Sequence, residues 1–219
     1  ILRELIENDR VIGGMTDQCS QVAKHFYASF VRGQLHTTNA TTAEVVKLVE
    51  NTYRDINIAF ANELASIAES LHFDIHEAIE LANHHPRVNI LSPGPGVGGH
   101  CISVDPWFLI HAAPEQCQLI HTARQLNDQK PTVLFKQIRQ LIKDFNIQAV
   151  GCLGLTYKAN VDDLRESPSL TIVKMLLESN SSELFICDPL IPQDRVPDIP
   201  LTSLETTLQN SELLVLLTD

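Results

Sequence analysis

Cys101 lies at the exit of a loop that contains four glycines in close succession, and a carboxylate, Asp105, follows one helical turn later. Gly and Pro at this density exclude a helix or strand interior and predict a loop whose backbone approaches a ligand closely. A thiol at the end of such a loop can attack an electrophile that the loop holds. The usual alternative for a free cysteine is a buried structural role, and the residues alone leave both interpretations open.

A second group of polar residues shares one stripe of a predicted helix. Lys47, Asn51 and Arg54 have the spacing i, i+4 and i+7, so an ammonium, an amide and a guanidinium face the same way. Such a stripe can stabilise negative charge, but on spacing alone a solvated face with an ordinary Glu50–Arg54 ion pair is the favoured interpretation.

A polar loop over residues 156–166 follows a predicted strand and precedes a predicted helix. In parallel sheets that position is where ligands bind, and a helix N-terminus favours anions. Lys158 and Arg165 add two cations, which suits a diphosphate, although pairing with the neighbouring acidic residues is an equal alternative. The chain has no GxGxxG fingerprint. His72 and His76 have ligand spacing without a third partner, so we expect no metal.

Composition narrows the classes of partner. The chain has 219 residues, of which 27 are acidic and 16 basic, for a formal net charge of −11. This balance argues against nucleic acid or an anionic membrane as the main partner, and no apolar run approaches the ~18 residues of a membrane span. Five scattered cysteines without a CxxC pair indicate free thiols in a cytoplasmic protein. Because the chain begins with Ile and ends on a strand-like run, we expect a fragment of a longer protein.

The helices that would position these residues can be outlined from capping and periodicity. After a strand–helix–strand pattern within residues 8–38, Thr41 and Glu44 form a capping box that predicts a long helix over 42–70. Asp74 is a predicted N-cap for a helix over 74–84, and Asp105-Pro106 opens another. Two more helices are predicted over 115–127 and 131–145, with Pro131 at the start of the second, and a domain boundary is placed near residue 130.

The last third of the chain alternates strands and helices. Predicted strands cover 148–155, 183–187 and 212–218, and predicted helices run from Pro168 to about 179 and over 203–209, the first capped by Ser167. Alternation of this kind predicts a parallel sheet and hence an α/β fold.

Three motifs in this order resemble the UDP-glucose/GDP-mannose dehydrogenase family. The resemblance extends over essentially the whole chain, and the wording around the cysteine is most similar to the branch that acts on UDP-N-acetylmannosamine. The segments that carry it are Ala43-Glu44-x-x-Lys47-x-x-x-Asn51, Gly94-x-Gly-x-Gly98-Gly99-x-Cys101-x-x-x-Asp105, and Gly154-Leu-Thr-Tyr157-Lys158 continuing to Asp163-x-Arg165-Glu166-Ser167-Pro168.

The resemblance implies a three-part organisation. Residues 1–40 would be the tail of an NAD-binding Rossmann domain, and residues 41–129 a central all-helical dimerisation domain that carries the cysteine loop. Residues 130–219 would be a truncated, Rossmann-like parallel α/β domain that binds the UDP-sugar. The homodimer would form through the 42–70 helix, and most of the NAD-binding domain would lie outside the chain.

The resemblance also implies a reaction, the oxidation of the C6 alcohol of a nucleotide sugar to a carboxylate with NAD. Cys101 would form a thiohemiacetal and then a thioester, which water hydrolyses. Lys47 and Asn51 would stabilise the oxyanion, and Asp105 would orient or deprotonate the water. The isolated fragment is expected to be inactive.

Further residues match family positions that contact ligands. Arg165 matches a cofactor-phosphate contact, and Val104 stands where some members carry a cofactor-contacting Lys. His85 and Arg87 match a segment that reaches a neighbouring subunit's substrate. The expected substrate contacts are Arg54, His85, Arg87, Ser92, Gly94, Gly96, Gly98, Tyr157 and Lys158.

Three alternatives remain open at this point. The sugar can be glucose, mannose or N-acetylgalactosamine, because these versions share the motifs. The chain can instead be a non-catalytic dimerisation and UDP-binding module. A cysteine hydrolase that uses Cys101 with a histidine from elsewhere in the fold is the third reading.

Overall fold

The computed structural model describes residues 2–218 and divides into two compact units. The first unit is Ile1–Tyr53 and the second is Arg54–Asp219, so the division falls inside helix α3 (Ala40–Leu71). The three-domain organisation implied by the sequence is a different partition and stays a prediction.

The first unit contains a small parallel sheet. Its elements in order are α1 (Leu2–Glu7), β1 (Arg10–Gly14), α2 (Asp17–Tyr27), β2 (Leu35–Asn39) and the first turns of α3. β1 and β2 pair in parallel, with Arg10 opposite Leu35, and α2 supplies the crossover that a parallel pair requires. The predicted strand–helix–strand pattern is confirmed. From sequence, a helix over residues 17–33 is expected, but α2 ends at Tyr27. Just beyond it, the Ser29 hydroxyl donates to the Phe26 carbonyl at 2.6 Å, and such side-chain bonds compete with the helical pattern.

The start of α3 differs from the predicted capping box. The side-chain oxygen of Asn39 accepts the backbone N–H of Thr42 at 2.8 Å, so Asn39 occupies the N-cap position and the helix begins at Ala40. Thr41 was the wrong cap because Asn39, at the end of β2, already satisfies an otherwise unpaired N–H of the first turn.

Helices dominate the first part of the second unit. They are the remainder of α3, α4 (Ile75–Asn83), α5 (Asp105–Ala112) and α6 (Gln118–Asp144). Asp74 caps α4 as predicted, since its carboxylate accepts the N–H groups of His76 and Glu77. Pro106 lies in the first turn of α5, where a missing N–H costs nothing.

Helix α6 is continuous through Pro131, and the two separate helices predicted here were wrong. Proline removes one helical hydrogen bond and crowds the carbonyl four residues earlier, which belongs to Asn127. Both Pro131 and Asn127 are buried, so tertiary packing on this stretch outweighs the helix-breaking tendency of proline.

The remainder of the second unit is a parallel α/β layer. Its elements are β3 (Ala149–Leu153), α7 (Pro168–Ser179), β4 (Glu183–Cys187), a 3₁₀ turn (Gln193–Arg195), α8 (Leu204–Asn210) and β5 (Leu213–Leu216). The strands are parallel in the order β4-β3-β5. Ser167 caps α7 by accepting the Leu170 N–H, as predicted. The α/β fold class is therefore confirmed.

The apolar core of this layer lies under β3, the central strand. Val150 and Cys152 are fully buried there and pack with Ile172 of α7 and Ile186 of β4. Ile138 and Ile142 of α6 belong to the same cluster, so the second half of α6 is part of the α/β layer. This packing fixes the carboxyl end of β3, where the loop 156–166 begins.

Candidate functional site

Cys101 and Asp105 lie on one tight turn that leads into α5. The Cys101 carbonyl accepts the Asp105 N–H at 2.7 Å and the Val104 N–H at 3.0 Å. Residues four apart in a helical turn face the same side, so the thiol and the carboxylate share one face. Cys101 is half-buried, as is Asp105. A partly exposed thiol on a fixed turn differs from a sealed structural cysteine such as Cys152, whose pKa burial raises to about 12.

The loop over residues 156–166 brings a cation into electrostatic range of Cys101. Hydrogen bonds to Asp163 are the main cause of the raised pKa of Arg165, and Tyr157 and Cys101 contribute smaller charge effects. The Arg165 guanidinium binds the Asp163 carboxylate at 2.6 to 3.1 Å and holds the pKa of that carboxyl at about 2. The geometric link between the two loops is at Gly99, whose N–H bonds the Arg165 carbonyl and whose Cβ position is 3.1 Å from the Tyr157 ring.

Gly98 and Gly99 are explained by packing against that same loop. A Cβ on Gly98 would lie 2.5 Å from the Tyr157 Cβ and 2.7 Å from the Glu166 carbonyl oxygen. Gly99 has a φ of +84° and donates its N–H to the Arg165 carbonyl at 2.9 Å. Only glycine permits this approach, and it joins the cysteine loop to the α/β layer.

Gly94 and Gly96 occupy different surroundings. Within residues 2–218, apart from Gly94 and its two chain neighbours, no atom lies within 4 Å of a Cβ position on Gly94, so this glycine leaves open space beside the backbone. Gly96 has a φ of +138°, and its Cβ position is 3.3 Å from the Asn127 carbonyl oxygen and 3.1 Å from Pro168. Of the glycines predicted to contact substrate, Gly94 is thus the one with room for a ligand, while Gly98 is buried.

Two clefts border the loop 156–166. One, of about 460 Å³, is lined by Ser103, Val104, Trp107 and Glu166 together with residues of α6 and α7. The other, of about 440 Å³, lies at the carboxyl ends of β3 and β4 and includes Gly154 and Asp188. The Asp188 carboxylate accepts the Leu155 N–H at 2.7 Å, which fixes the edge of this second cleft. Ligands of parallel α/β sheets bind at such edges.

The predicted polar stripe on α3 spans both units. In the first unit, Asn51 is buried and Lys47 is exposed, with its ammonium 3.8 Å from the Glu50 carboxylate. In the second unit, Arg54 is exposed. Within the first unit, the Glu50 carboxylate therefore has Lys47 as an ion-pair partner, and the Glu50–Arg54 pair of the solvated-face interpretation stays a prediction.

The segment before the cysteine loop is exposed. His85 and Arg87 both face solvent, and the His85 ring nitrogen accepts the Arg87 N–H at 3.3 Å. Ser92 and Lys158 are exposed as well. These predicted substrate contacts are available to a ligand or a partner, and their roles stay predictions.

Sequence reasoning missed a polar cluster between α3 and α6, defined here as the buried residues Asp55, Arg124 and Asn127 with the exposed Asp128 at its edge. Arg124 and Asp55 are fully buried and form an ion pair, and Arg124 also pairs with Asp128. The Asn127 amide donates to the Asp55 carboxylate and to its backbone carbonyl, each at 2.9 Å. Burial raises the pKa of Asp55, against the opposing effects of Arg124 and Asn127. Only the i,i+4 spacing of Arg124 and Asp128 hinted at this cluster.

The described residues contain neither a metal-binding cluster nor a membrane-spanning helix. Within residues 2–218, no three His, Cys, Asp or Glu side chains come together in a way that would hold a metal ion. No helix in that range has the length and apolar character needed to cross a bilayer.

Comparison with known proteins assigns most of the chain. The central domain of the UDP-glucose/GDP-mannose dehydrogenase family matches residues 41–129, and the UDP binding domain of the same family matches residues 151–219. Together the two matches cover well over half of the chain.

Individual relatives agree with this match. A UDP-N-acetyl-D-mannosamine dehydrogenase from Methanocaldococcus jannaschii is 49% identical over the whole chain and 50% of its own length. An NDP-N-acetyl-D-galactosaminuronic acid dehydrogenase from Ralstonia solanacearum is 48% identical, with 52% of its length covered. The structure of UDP-D-ManNAc dehydrogenase from Pyrococcus horikoshii superimposes with a TM-score of 0.92 at 41% identity, covering all of this chain and 52% of that one. The chain spans about half the length of the curated relatives it matches.

Proposed function

Since this chain belongs to the UDP-glucose/GDP-mannose dehydrogenase family, we propose that it is the central and UDP-binding part of an NAD-dependent UDP-N-acetyl-D-mannosamine 6-dehydrogenase. The product would be UDP-N-acetylmannosaminuronate, a precursor for polysaccharide biosynthesis. The observation that carries the proposal is the half-buried Cys101 thiol on the turn shared with Asp105, at the end of the glycine loop.

The described residues fit NAD only in part. Arg165 offers an exposed guanidinium in electrostatic range of Cys101, which suits a cofactor phosphate, whereas Val104 offers no charge. The GxGxxG fingerprint that usually holds the pyrophosphate is not in the sequence. When bound, NAD would accept a hydride from C6 in each of the two oxidations.

The chain's own residues would handle the proton and carbon chemistry. The Cys101 sulfur, as a thiolate, would add to the carbonyl carbon of the C6 aldehyde, so that a C–S bond forms as the C=O π bond opens and the oxygen of the resulting thiohemiacetal anion carries the negative charge. Lys47 and Asn51 would donate hydrogen bonds to that oxygen. After the second oxidation the intermediate is a thioester. Asp105, on the same turn as the thiol, would take a proton from the water that breaks the C–S bond and releases the carboxylate.

Recognition of the nucleotide sugar would come from several surfaces. Tyr157 and Lys158 lie near the start of the loop that follows β3, beside the cleft of about 440 Å³. The family match describes this region as a UDP binding domain. The open space at Gly94, with Ser92, Gly96 and Arg54, would accommodate the sugar and diphosphate. Gly98, His85 and Arg87 complete the proposed substrate set.

The protein is proposed to act as a homodimer through the 42–70 helix, and the cytoplasm is the expected compartment. The five cysteines are all unpaired, which suits a reducing environment. Helix α3 also exposes large apolar side chains, among them Phe60 and Ile67.

The test is the yield of NADH per sugar in a longer protein that contains this chain and an NAD-binding domain. With UDP-N-acetylmannosamine we expect two NADH per sugar and formation of the carboxylate. Cys101→Ser should abolish carboxylate formation, because an alkoxide leaves an ester intermediate far less readily than a thiolate leaves a thioester. Cys19→Ser, which removes an exposed thiol of the other unit, is the matched control and should be normal. Full activity of Cys101→Ser would contradict the proposal.

A second sugar has a specific observation in its favour. The Ralstonia solanacearum relative carries the name of an N-acetylgalactosaminuronic acid enzyme at nearly the same identity as the mannosamine enzymes. The same NADH assay should therefore compare the UDP-linked forms of N-acetylmannosamine, N-acetylgalactosamine and glucose with GDP-mannose. If another of these nucleotide sugars gives a higher kcat/KM than UDP-N-acetylmannosamine, that sugar is the better substrate, and the proposed reaction is unchanged.

A further inference from the structure

Asn62 is a buried amide on α3 that contacts the glycine loop directly. Only 4% of its surface is exposed, and its side-chain oxygen accepts the Gly94 N–H at 2.9 Å. Asn62 belongs to none of the three family motifs in the sequence. The hydrogen bond joins residues far apart in the chain and fixes the start of the loop that ends at Cys101.

The other half of the same amide indicates why asparagine is present. Among the described residues, the Asn62 side-chain nitrogen is buried without a hydrogen-bond partner. A buried donor without a partner is costly, and an apolar side chain of similar volume would avoid that cost. Burial of the Asn62 nitrogen is therefore unfavourable. The hydrogen bond that the Asn62 oxygen accepts from the Gly94 N–H is the interaction that offsets this cost.

From Gly94 onward, the loop backbone is held by close contacts with other parts of the second unit. Gly96 is held between Asn127 and Pro168, Gly98 lies against Tyr157, and the Gly99 N–H is bonded to the Arg165 carbonyl. The contacts recur at intervals of one or two residues, so the Gly94 hydrogen bond is the first in a series of fixed points along the backbone that leads to Cys101. Lys47 and Asn51 occupy earlier turns of α3, the helix that carries Asn62.

We propose that Asn62 is a positioning residue for Cys101, which it serves by anchoring the glycine loop to α3 through the Gly94 N–H. The inference rests on the proposed function, in which Cys101 is the nucleophile. Asn62 itself touches neither substrate nor cofactor in this assignment. Its effect is on the placement and accessibility of the thiol.

The experiment measures the thiol directly on the 219-residue chain and so does not depend on turnover. Asn62→Leu removes the acceptor at similar volume, and Asn62→Asp keeps an acceptor oxygen. Gln137→Leu is the control, because it removes another side-chain amide that bonds to α3, but one that donates to the Glu69 carboxylate and makes no hydrogen bond to the loop among the described residues. Iodoacetamide labelling is followed peptide by peptide, with buried Cys152 as the internal standard for unfolding.

We expect Asn62→Leu to accelerate exchange of the Gly94 amide hydrogen by about tenfold or more, because its hydrogen bond is lost. The Cys101 labelling rate should change at least about threefold, while Cys152 stays unlabelled. Asn62→Asp and Gln137→Leu should match the wild-type protein in both measurements. The proposal is overturned if Asn62→Leu leaves the Cys101 labelling rate unchanged, whatever happens to Gly94 exchange, or if Asn62→Asp behaves like Asn62→Leu.

A readout on the unmodified chain covers the case in which Asn62→Leu does not fold. A through-hydrogen-bond NMR coupling should connect the Gly94 amide nitrogen with the Asn62 side-chain carbonyl carbon, and its absence would overturn the proposal. Failure of the proposed function is a separate result: a longer protein that makes no NADH, together with an altered Cys101 labelling rate in Asn62→Leu, rejects the dehydrogenase and retains the anchor.

Discussion

Arg124 and Asp55 are the residues whose burial says most about what holds the second unit together. Both are fully buried and they form an ion pair, to which Asp128 adds a second carboxylate for Arg124 and Asn127 a second donor for Asp55. A buried ion pair contributes little net stability compared with apolar residues of the same volume, but removing one partner strands a charge. The pair therefore contributes specificity to the packing of α6 on α3 more than it contributes free energy.

Substituting Arg124 alone, or together with Asp55, separates the cost of a stranded charge from the net contribution of the pair. Arg124→Met should lower the free energy of unfolding by about 3–5 kcal/mol, because Asp55 is left buried without its cation. The double variant Arg124→Met/Asp55→Leu should be more stable than the single one, since no charge is stranded. Urea unfolding followed by circular dichroism measures both. Equal stability of the single variant and the wild type would show that water or another group replaces the arginine.

The Asp163–Arg165 pair gives a second prediction at the residue scale. Hydrogen bonds from Arg165 hold the Asp163 pKa at about 2, below its ordinary value of 3.8. A lowered pKa in the folded state stabilises the protein above pH 3.8, and this contribution is lost as the pH falls toward 2. Arg165→Gln should return the carboxyl toward 3.8, as measured by NMR titration. Arg195→Gln, which removes the partner of neighbouring Asp162, is the control and should leave Asp163 unchanged.

At the scale of elements, capping and periodicity predicted most of the fold from sequence. The caps Asp74 and Ser167 and the parallel strands were readable because each rests on a local rule that its own residues satisfy. Pro131 was misread because proline's local effect is overridden by burial against the rest of the unit, which only the folded chain reveals. Asn39 displaced Thr41 as a cap for a similar reason, since the end of β2 sets where α3 starts.

The residues of the candidate site also fall into two groups, those that a local sequence pattern identifies and those that only the folded chain reveals. Cys101, Asp105 and Arg165 could be named from motifs, because short spacing or a loop position specified them. Asn62 could not be named in this way, because its contact with Gly94 joins residues 32 positions apart in the sequence. Nothing in the residues next to Asn62 indicates that contact. Arg124 and Asp55 were missed on the same ground.

Helix α3 presents an exposed apolar stripe in the second unit. Phe60, Ile67 and Leu71 are 46%, 42% and 69% exposed and recur at helical spacing, so they form one apolar stripe. If α3 is the dimer interface, Phe60→Asp and Ile67→Asp should each convert the protein to monomer, because a carboxylate would be buried on association. Sedimentation velocity measures the change. Ser70→Asp adds the same charge beside the stripe and should not alter the oligomeric state; monomeric wild-type protein would contradict the interface.

For the whole molecule, the question is which activities the 219 residues hold without further sequence. The UDP binding domain match covers residues 151–219, and the cleft at the carboxyl ends of β3 and β4 is part of it. The sequence has no GxGxxG fingerprint. We therefore expect the chain on its own to bind UDP and to reduce no NAD, which separates nucleotide recognition from oxidation.

Thermal unfolding with and without UDP tests this expectation. A ligand at a hundredfold excess over its Kd stabilises by about 2.7 kcal/mol, which corresponds to roughly 5–10 °C in Tm for a chain of this size. Lys158→Gln should reduce the shift, because the proposed contact to the diphosphate loses its charge, whereas Lys174→Gln on the exposed face of α7 should not. An equal shift in both variants would remove Lys158 from the site. No shift with UDP in the wild-type chain would mean that residues outside these 219 are required to form the nucleotide pocket.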